Sequence, residues 1–262
     1  MFKNLKNIFT SPKKENEIMN EVTNELQEPV IEETLPEAVT EAAAEPITET
    51  TSTESDNTNL VFGSATPEPE AEFNTDDLLN SPLIVGWLST EEQELLFSAL
   101  LLFYSPEQSM LDVGCGRADL FGYCNRLFGG TIPYKGIDYN PNILNVAQQK
   151  YPGVNVEAVD LLNSESPETF DWVVGSGLFN LNDYEDMESY TKNVIDKMYE
   201  KSNFGVAFNL LTGVPDYLSD EDKAQLIVHD PSMWLNHLIE KYTKVICRAD
   251  YMSGDVTFFI FK

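Results

Sequence analysis

The sequence predicts an α/β fold: a doubly wound, seven-stranded sheet, mostly parallel with one antiparallel strand, preceded by a disordered acidic N-terminal tail. Three observations lead there. From about residue 81 onward, short apolar runs alternate with helix-compatible stretches, as in a parallel sheet covered by helices on both faces. The last two apolar runs, 245–249 and 256–261, are joined through Ser253-Gly254 with no helix between them, so they read as a closing hairpin. Residues 109–120, S-M-L-D-V-G-C-G-R-A-D-L, read as a buried strand, a glycine turn and a helix start.

The tail comes first. Residues 1–80 hold 4 Lys/Arg against 18 Asp/Glu, which is half of the chain's net charge of −28. From residue 11 to about 75 the chain is rich in Glu, Thr, Pro and Ala. That composition cannot bury enough apolar surface to offset its ordering entropy, so 1–80 reads as a disordered tether. Phe2, Leu5 and Phe9, with Lys3 and Lys6 between them, fit either a short docking helix for a protein partner or anionic surface, or a frayed terminus.

The folded domain is expected over 81–262. Ser89 or Thr90 caps a first helix opening on Glu91 and Glu92, with Leu95, Leu96, Ala99, Leu100 and Phe103 as its apolar face and Pro106 as its stop. After the glycine turn a helix runs over 118–128 and stops at Gly129-Gly130. Residues 134–138 are a strand. Asn140 caps a helix with Pro141 in its first turn, running to about Lys150. Strands follow at 154–159, 170–174 and 205–211, with a long helix over 184–200. Another helix starts at Asp230-Pro231 and runs to about Tyr242.

Composition excludes several function classes. An acidic surface repels phosphate backbones, so a nucleic-acid partner is disfavoured. Three cysteines, Cys115, Cys124 and Cys247, give neither a disulfide framework nor a zinc spacing, and fit reduced thiols in the cytoplasm. His229 and His237 read as surface residues, and no metal site is expected. No apolar run reaches the ~18 residues of a membrane span.

In this type of sheet, ligands bind outside the carboxyl ends of the strands, at the point where strand order reverses. Asp112, Asp138, Asp160 and Gly175 all fall at such ends. Gly114 and Gly116 let a ligand approach the backbone. Asp112 offers a carboxylate to a ligand amine, which points to a cationic ligand rather than a phosphate. Asp138 stands 22 residues after Gly116, where an acid can accept ribose hydroxyls. Asp160, beside the Leu161 N–H, can read an adenine edge.

The blocks Leu111-Asp112-Val113-Gly114-Cys115-Gly116, Gly136-Ile137-Asp138-Tyr139-Asn140-Pro141, Val159-Asp160-Leu161 and 170–177 together resemble the class I S-adenosylmethionine-dependent methyltransferases. The resemblance covers about residues 83–262. A nearer likeness is to small bacterial and phage proteins with a generic methyltransferase domain, carried by Val85-Gly86-Trp87, 119–123, 176–180 and 207–211. It implies a Rossmann-like fold and S-adenosylmethionine as cofactor, bound by Asp112, Gly114, Gly116, Asp138, Tyr139, Asp160, Leu161 and Gly175. It implies that Asn180, Tyr184 and Asn209 contact the substrate and that Trp87 lies where it can lid the cofactor. It names neither a catalytic base nor an acceptor. A small-molecule or protein acceptor is favoured over nucleic acid, partly because an N/D-P-P-Y pattern is absent after the fourth strand. The alternative is a non-catalytic cofactor-binding or structural module in a larger assembly, such as a phage particle. One departure stands out: Leu96 precedes Phe97 where the nearer group often has Arg.

Overall fold

The computed structural model describes residues 79–82, 86–182, 184–214, 216 and 218–262. The acidic tether and docking segment therefore lie outside the described residues, apart from the last few positions of the tether. Helix α1 (Thr90–Leu100) is capped by the Ser89 side chain, which accepts the Glu92 N–H at 3.1 Å. Then come β1 (Met110–Val113), α2 (Asp119–Phe128), β2 (Tyr134–Asp138), α3 (Pro141–Lys150) and β3 (Val156–Ala158). A short 3₁₀ turn (Leu161–Asn163) leads to β4 (Phe170–Gly175), α4 (Met187–Lys201) and β5 (Ser202–Leu211). The chain closes with α5 (Asp220–Lys223), α6 (Pro231–Tyr242), β6 (Val245–Arg248) and β7 (Asp255–Phe261).

All seven expected strands form one sheet, in the order β3-β2-β1-β4-β5-β7-β6. β1 pairs in parallel with both β2 and β4, and β5 with β4. β7 runs antiparallel to both of its neighbours, β5 and β6. Strand order reverses between β1 and β4, which opens the crevice of a doubly wound sheet there. The register Asp112↔Val174, Val174↔Ala207 and Ala207↔Phe259 puts these four residues in one row across the sheet.

Helices α1 to α3 cover one face of the sheet, burying Phe97, Leu100, Leu120, Cys124 and Ala147 against Met110, Trp172, Val174 and Phe259. α4 and α6 cover the other, burying Ile195, Met198, Trp234 and Leu238 against Val173, Val206, Phe208 and Phe258. α1 differs from expectation in its inward face. Leu95 and Phe103 are exposed, while Gln93 and Phe97 are buried with Leu96, Ala99 and Leu100. The helix also ends at Leu100, well short of Pro106: Leu101 leaves helical geometry at φ −88° and ψ 9°, and the Leu102 N–H bonds three residues back to Ala99. Among the described residues no helix is long and apolar enough to cross a membrane.

Candidate functional site

The glycine turn after β1 is held by β2. The Gly114 and Cys115 N–H groups both donate to the Ile137 carbonyl, at 2.8 and 3.0 Å. The Gly116 N–H donates to Asp138 Oδ2 at 3.0 Å. Gly114 and Gly116 adopt φ of 69° and 52°, a region that disfavours side chains. Ala118, at the N-terminus of α2, takes φ 58° without being glycine, a strained residue of the kind found at functional loops. Behind the loop Arg117, 1% exposed, pairs with Asp119 at 2.9 Å, and Lys150 reaches Asp119 from α3 at 2.6 Å. Burial pushes the Asp119 carboxyl up, but the two cations outweigh it and hold it below its ordinary value.

Asp112 is not at the strand end. It is the third of the four residues of β1, 3% exposed, and the Tyr134 hydroxyl donates to its Oδ2 at 2.7 Å. Burial pushes its carboxyl up to about 7, against the pull of the Tyr134 bond, and Asp138 and Asp119 add to the rise. A cation placed here would be welcomed by a carboxylate that is otherwise costly to ionise.

Asp138 ends β2 with both oxygens engaged, Oδ2 by Gly116 and Oδ1 by the Asn140 N–H at 3.0 Å. Burial raises its carboxyl and these backbone bonds lower it, leaving it above its ordinary value. Tyr139 beside it is 71% exposed. Asp160 caps the turn after β3, accepting from the Leu162 N–H at 3.0 Å and the Asn163 amide at 2.6 Å, and Leu161 is buried. Tyr184 stacks on Tyr190, with centroids 4.0 Å apart and planes at 18°. Burial raises the Tyr190 phenol, and Tyr184, Asp160 and Tyr139 add to the shift, so these side chains gather at the β2–β3 end.

A second group gathers past β4. The Gly177 N–H donates to Asn209 Oδ1 at 2.8 Å, and a methyl group on Gly177 would meet Trp87 at 3.0 Å and Asn180 at 3.8 Å. Leu178 covers both Gly114 and Gly175, standing 2.7 and 3.0 Å from where a Cβ on each would lie. His229 is buried, contrary to the surface position expected of it. The Trp234 indole N–H donates to its Nδ1 at 3.1 Å, so its proton is on Nε2, which donates to the Phe179 carbonyl at 3.0 Å. That bridge ties the start of α6 to the loop carrying Asn180.

Residues 110–198 match a family profile described as a methyltransferase domain. The match covers about a third of the chain, from β1 into α4. Its likeness to curated proteins is local: the demethylmenaquinone methyltransferase of Bacillus cytotoxicus is 35% identical over 86 residues, or 30% of this chain and 36% of that protein. The chain thus spans about a third of the length of the curated relatives it matches. Among solved structures, the magnesium protoporphyrin IX methyltransferase of Synechocystis PCC 6803 is similar, with a TM-score of 0.50 and 12% identity over 71% of this chain and 91% of that one. An O-methyltransferase family protein of Burkholderia thailandensis gives a TM-score of 0.51 and 12% identity over 66% and 56%. At such identities these two structures speak for the fold alone.

Sequence reasoning had not singled out Tyr134, Tyr190, Tyr251, Asp255 or Thr257 around this sheet edge. One signal was available: Asp255 and Thr257 are polar at alternate positions of a strand that is otherwise apolar.

Proposed function

We propose that this chain is an enzyme that binds S-adenosylmethionine along the carboxyl ends of β3, β2, β1 and β4 and transfers its methyl group to an acceptor held past β4 and β5. The observation that carries the reading is Asp138, which ends β2 and takes the Gly116 N–H of the loop after β1. A carboxylate so placed has lone pairs left for a ribose diol, and the loop it holds carries no side chain at Gly114 or Gly116, with Leu178 lying over the first. The residues fit the cofactor. Asp138 would take the ribose, Asp160 and Leu161 the adenine edge, and Tyr139 the exposed face of the base. Asp112, with Gly114, Gly116 and Gly175, would take the methionine end, where its raised carboxyl suits an ammonium.

When bound, the sulfonium supplies an already activated methyl group. What the chain adds is positioning and exclusion of water. Trp87, packed on Gly177, and Leu178, over Gly114 and Gly175, are the apolar groups that would do the second. Asn180 and Asn209 would face the acceptor, whereas Tyr184, expected there from the sequence, gathers with Tyr190, Tyr139 and Asp160 on the adenine side. The similar proteins are named for small-molecule acceptors, which supports a small molecule here ahead of a protein and leaves the acidic chain an unsuitable partner for nucleic acid. A domain over 81–262 and a cytoplasmic setting complete the reading.

Calorimetric titration with S-adenosylmethionine, followed by transfer of a radiolabelled methyl group to lysate, protein and metabolite fractions, tests it. One-to-one binding and a labelled product support the enzyme. Absence of binding refutes the cofactor assignment, and binding without any labelled product refutes the transferase.

A further inference from the structure

One buried polar cluster at the carboxyl edge has no part in the cofactor assignment. It stands where β5 meets β7. Register sets Asn209 beside Thr257 and Leu211 beside Asp255, so these side chains share one face of the sheet. Through Ala207 and Val174 that face is also the one on which Asp112 stands. Along the edge, the proposed adenine, ribose and methionine positions occupy β3, β2 and the β1–β4 pair. The cluster is next in line, about 10 Å beyond β4 at two strand spacings.

Its members are tied together. The Tyr251 hydroxyl donates to Asp255 Oδ1 and lies 2.8 Å from Thr257 Oγ1, which makes Thr257 the donor to Tyr251. Asp255 is 3% exposed, and Thr257 and Asn209 are fully buried. Asn209 gives its Oδ1 to the Gly177 N–H. Its amide also pulls against the rise of the Asp255 carboxyl, yet Nδ2 has no hydrogen bond of ordinary geometry. Ser176 Oγ and Asn180 Oδ1 are likewise buried without a partner. Three of the six such atoms among the described residues therefore fall on one corner, between the loop after β4 and the end of β5. An unpaired buried polar group is costly, so Ser176 Oγ and Asn180 Oδ1, beside an Asn209 Nδ2 that only loosely meets Asp255, mark a place built for a polar ligand.

We infer that Asp255, steadied by Tyr251 and reached past Asn209, is the catalytic residue that takes the proton from a hydroxyl or amine acceptor. The inference rests on the methyl-transfer reading above. In the step, the acceptor's oxygen or nitrogen forms a bond to the methyl carbon of the sulfonium donor. The carbon–sulfur bond breaks with its electron pair left on sulfur, and the acceptor's proton passes to the Asp255 carboxylate. Ser176, Asn180 and Asn209 orient the acceptor. A thiolate or carboxylate acceptor would arrive without that proton and would not need the group. Burial pushes the Asp255 carboxyl up to about 7, while Tyr251, Asn209 and the Val256 N–H pull it down. Arg248, the cation on the same hairpin, lies 5.7 Å from the Tyr251 ring and is paired with Asp250. A base so poised suits proton transfer at neutral pH.

The test uses the full chain, labelled S-adenosylmethionine and a panel of phenols, primary amines, thiols and carboxylates. Wild-type protein is expected to methylate phenol or amine members, with a rate that rises through about pH 7. D255N should bind the cofactor within twofold of wild type, keep its melting temperature within a few degrees, lose transfer by about 100-fold or more, and lose the rising limb. Y251F should slow transfer at pH 7 and move that limb to higher pH, since the phenol bond that favours the carboxylate is gone. Infrared titration gives a readout without turnover: the carboxyl absorbance titrating near pH 7, which Asp112 shares, should fall in D255N and disappear once Asp112→Asn is added. Transfer by D255N at the wild-type rate, transfer confined to thiols or carboxylates, or no transfer to any member by a protein that binds cofactor would each overturn the inference. Wild-type protein that binds no cofactor overturns instead the reading beneath it.

Discussion

The Tyr134 hydroxyl donates to Asp112 across the β1–β2 pair at 2.7 Å, in a place where the carboxyl is 3% exposed. The bond leaves Asp112 poised: burial keeps its carboxyl at about 7, and one phenol hydrogen bond is too little to bring it down. Any cation that settles against it will ionise it.

Cofactor binding should therefore release protons near neutrality. Titrations at pH 6.5 in two buffers of different ionisation enthalpy should differ in observed heat by an amount corresponding to net proton release. The difference should shrink above pH 8, where the carboxyl is already ionised, and vanish in Asp112→Asn. The same group shapes stability. Its native value is raised, so its contribution is complete below the unfolded value near 3.9 and is lost as pH rises through about 7. Urea melts should show the wild type losing stability relative to Asp112→Asn across that window. Equal slopes would mean that the buried carboxyl is not titrating there.

His229 works in the opposite direction. Burial holds its imidazole below the ordinary value, and both ring nitrogens are committed to Trp234 and Phe179 in the neutral form. A base lowered in the folded state supports the fold above its unfolded value of about 6.5 and withdraws that support as pH falls below it. His229→Ala should cost about 1–3 kcal/mol at pH 8, because the buried Trp234 N–H and Phe179 carbonyl lose their partners. Its penalty should narrow toward pH 5. A penalty unchanged between pH 8 and 5 would contradict the neutral bridge.

Gly205 on β5 tests the packing of the central sheet. A Cβ there would lie 2.6 Å from the Ile260 carbonyl oxygen and 2.9 Å from the Trp172 ring. The first neighbour is backbone in an antiparallel ladder and cannot swing aside. Gly205→Ala should destabilise by about 1–3 kcal/mol or more, as overpacking does, while Gly130→Ala, with open space around it, should change the melting temperature little. Similar melting temperatures for the two variants would show that the ladder is looser than drawn.

Much of this molecule was legible in its sequence because the signals are local. Gly114, Gly116 and the strand-end acids Asp138 and Asp160 announce themselves by neighbours only a few residues away. Asn140-Pro141 and Asp230-Pro231 each fix a helix start through a cap and a ring in the first turn. What escaped depends on residues far apart in the chain. Asp112 reads as a strand-end carboxylate until Tyr134 reaches it from the next strand. His229 reads as a surface residue until Phe179, 50 positions earlier, closes over it. Asp255 precedes and Thr257 lies within the strand expected over 256–261, and neither points to a site until β7 pairs with β5 and brings them to Asn209. The inward face of α1 was misjudged for the same reason. Leu95 and Phe97 are equally apolar in isolation, and only the tilt of the helix on β5 decides which is covered.

The central claim is that Asp138 organises a cofactor site at the β1–β2 strand ends. Calorimetric titration of S-adenosylmethionine into wild type and Asp138→Ala tests it most directly. The variant loses charge-assisted bonds worth about 1.5–3 kcal/mol each, and with them the anchor of the Gly116 N–H. Saturable one-to-one binding by wild type, weakened at least tenfold in Asp138→Ala, is the predicted result. No binding by the wild type, or equal affinity in the two proteins, would contradict it.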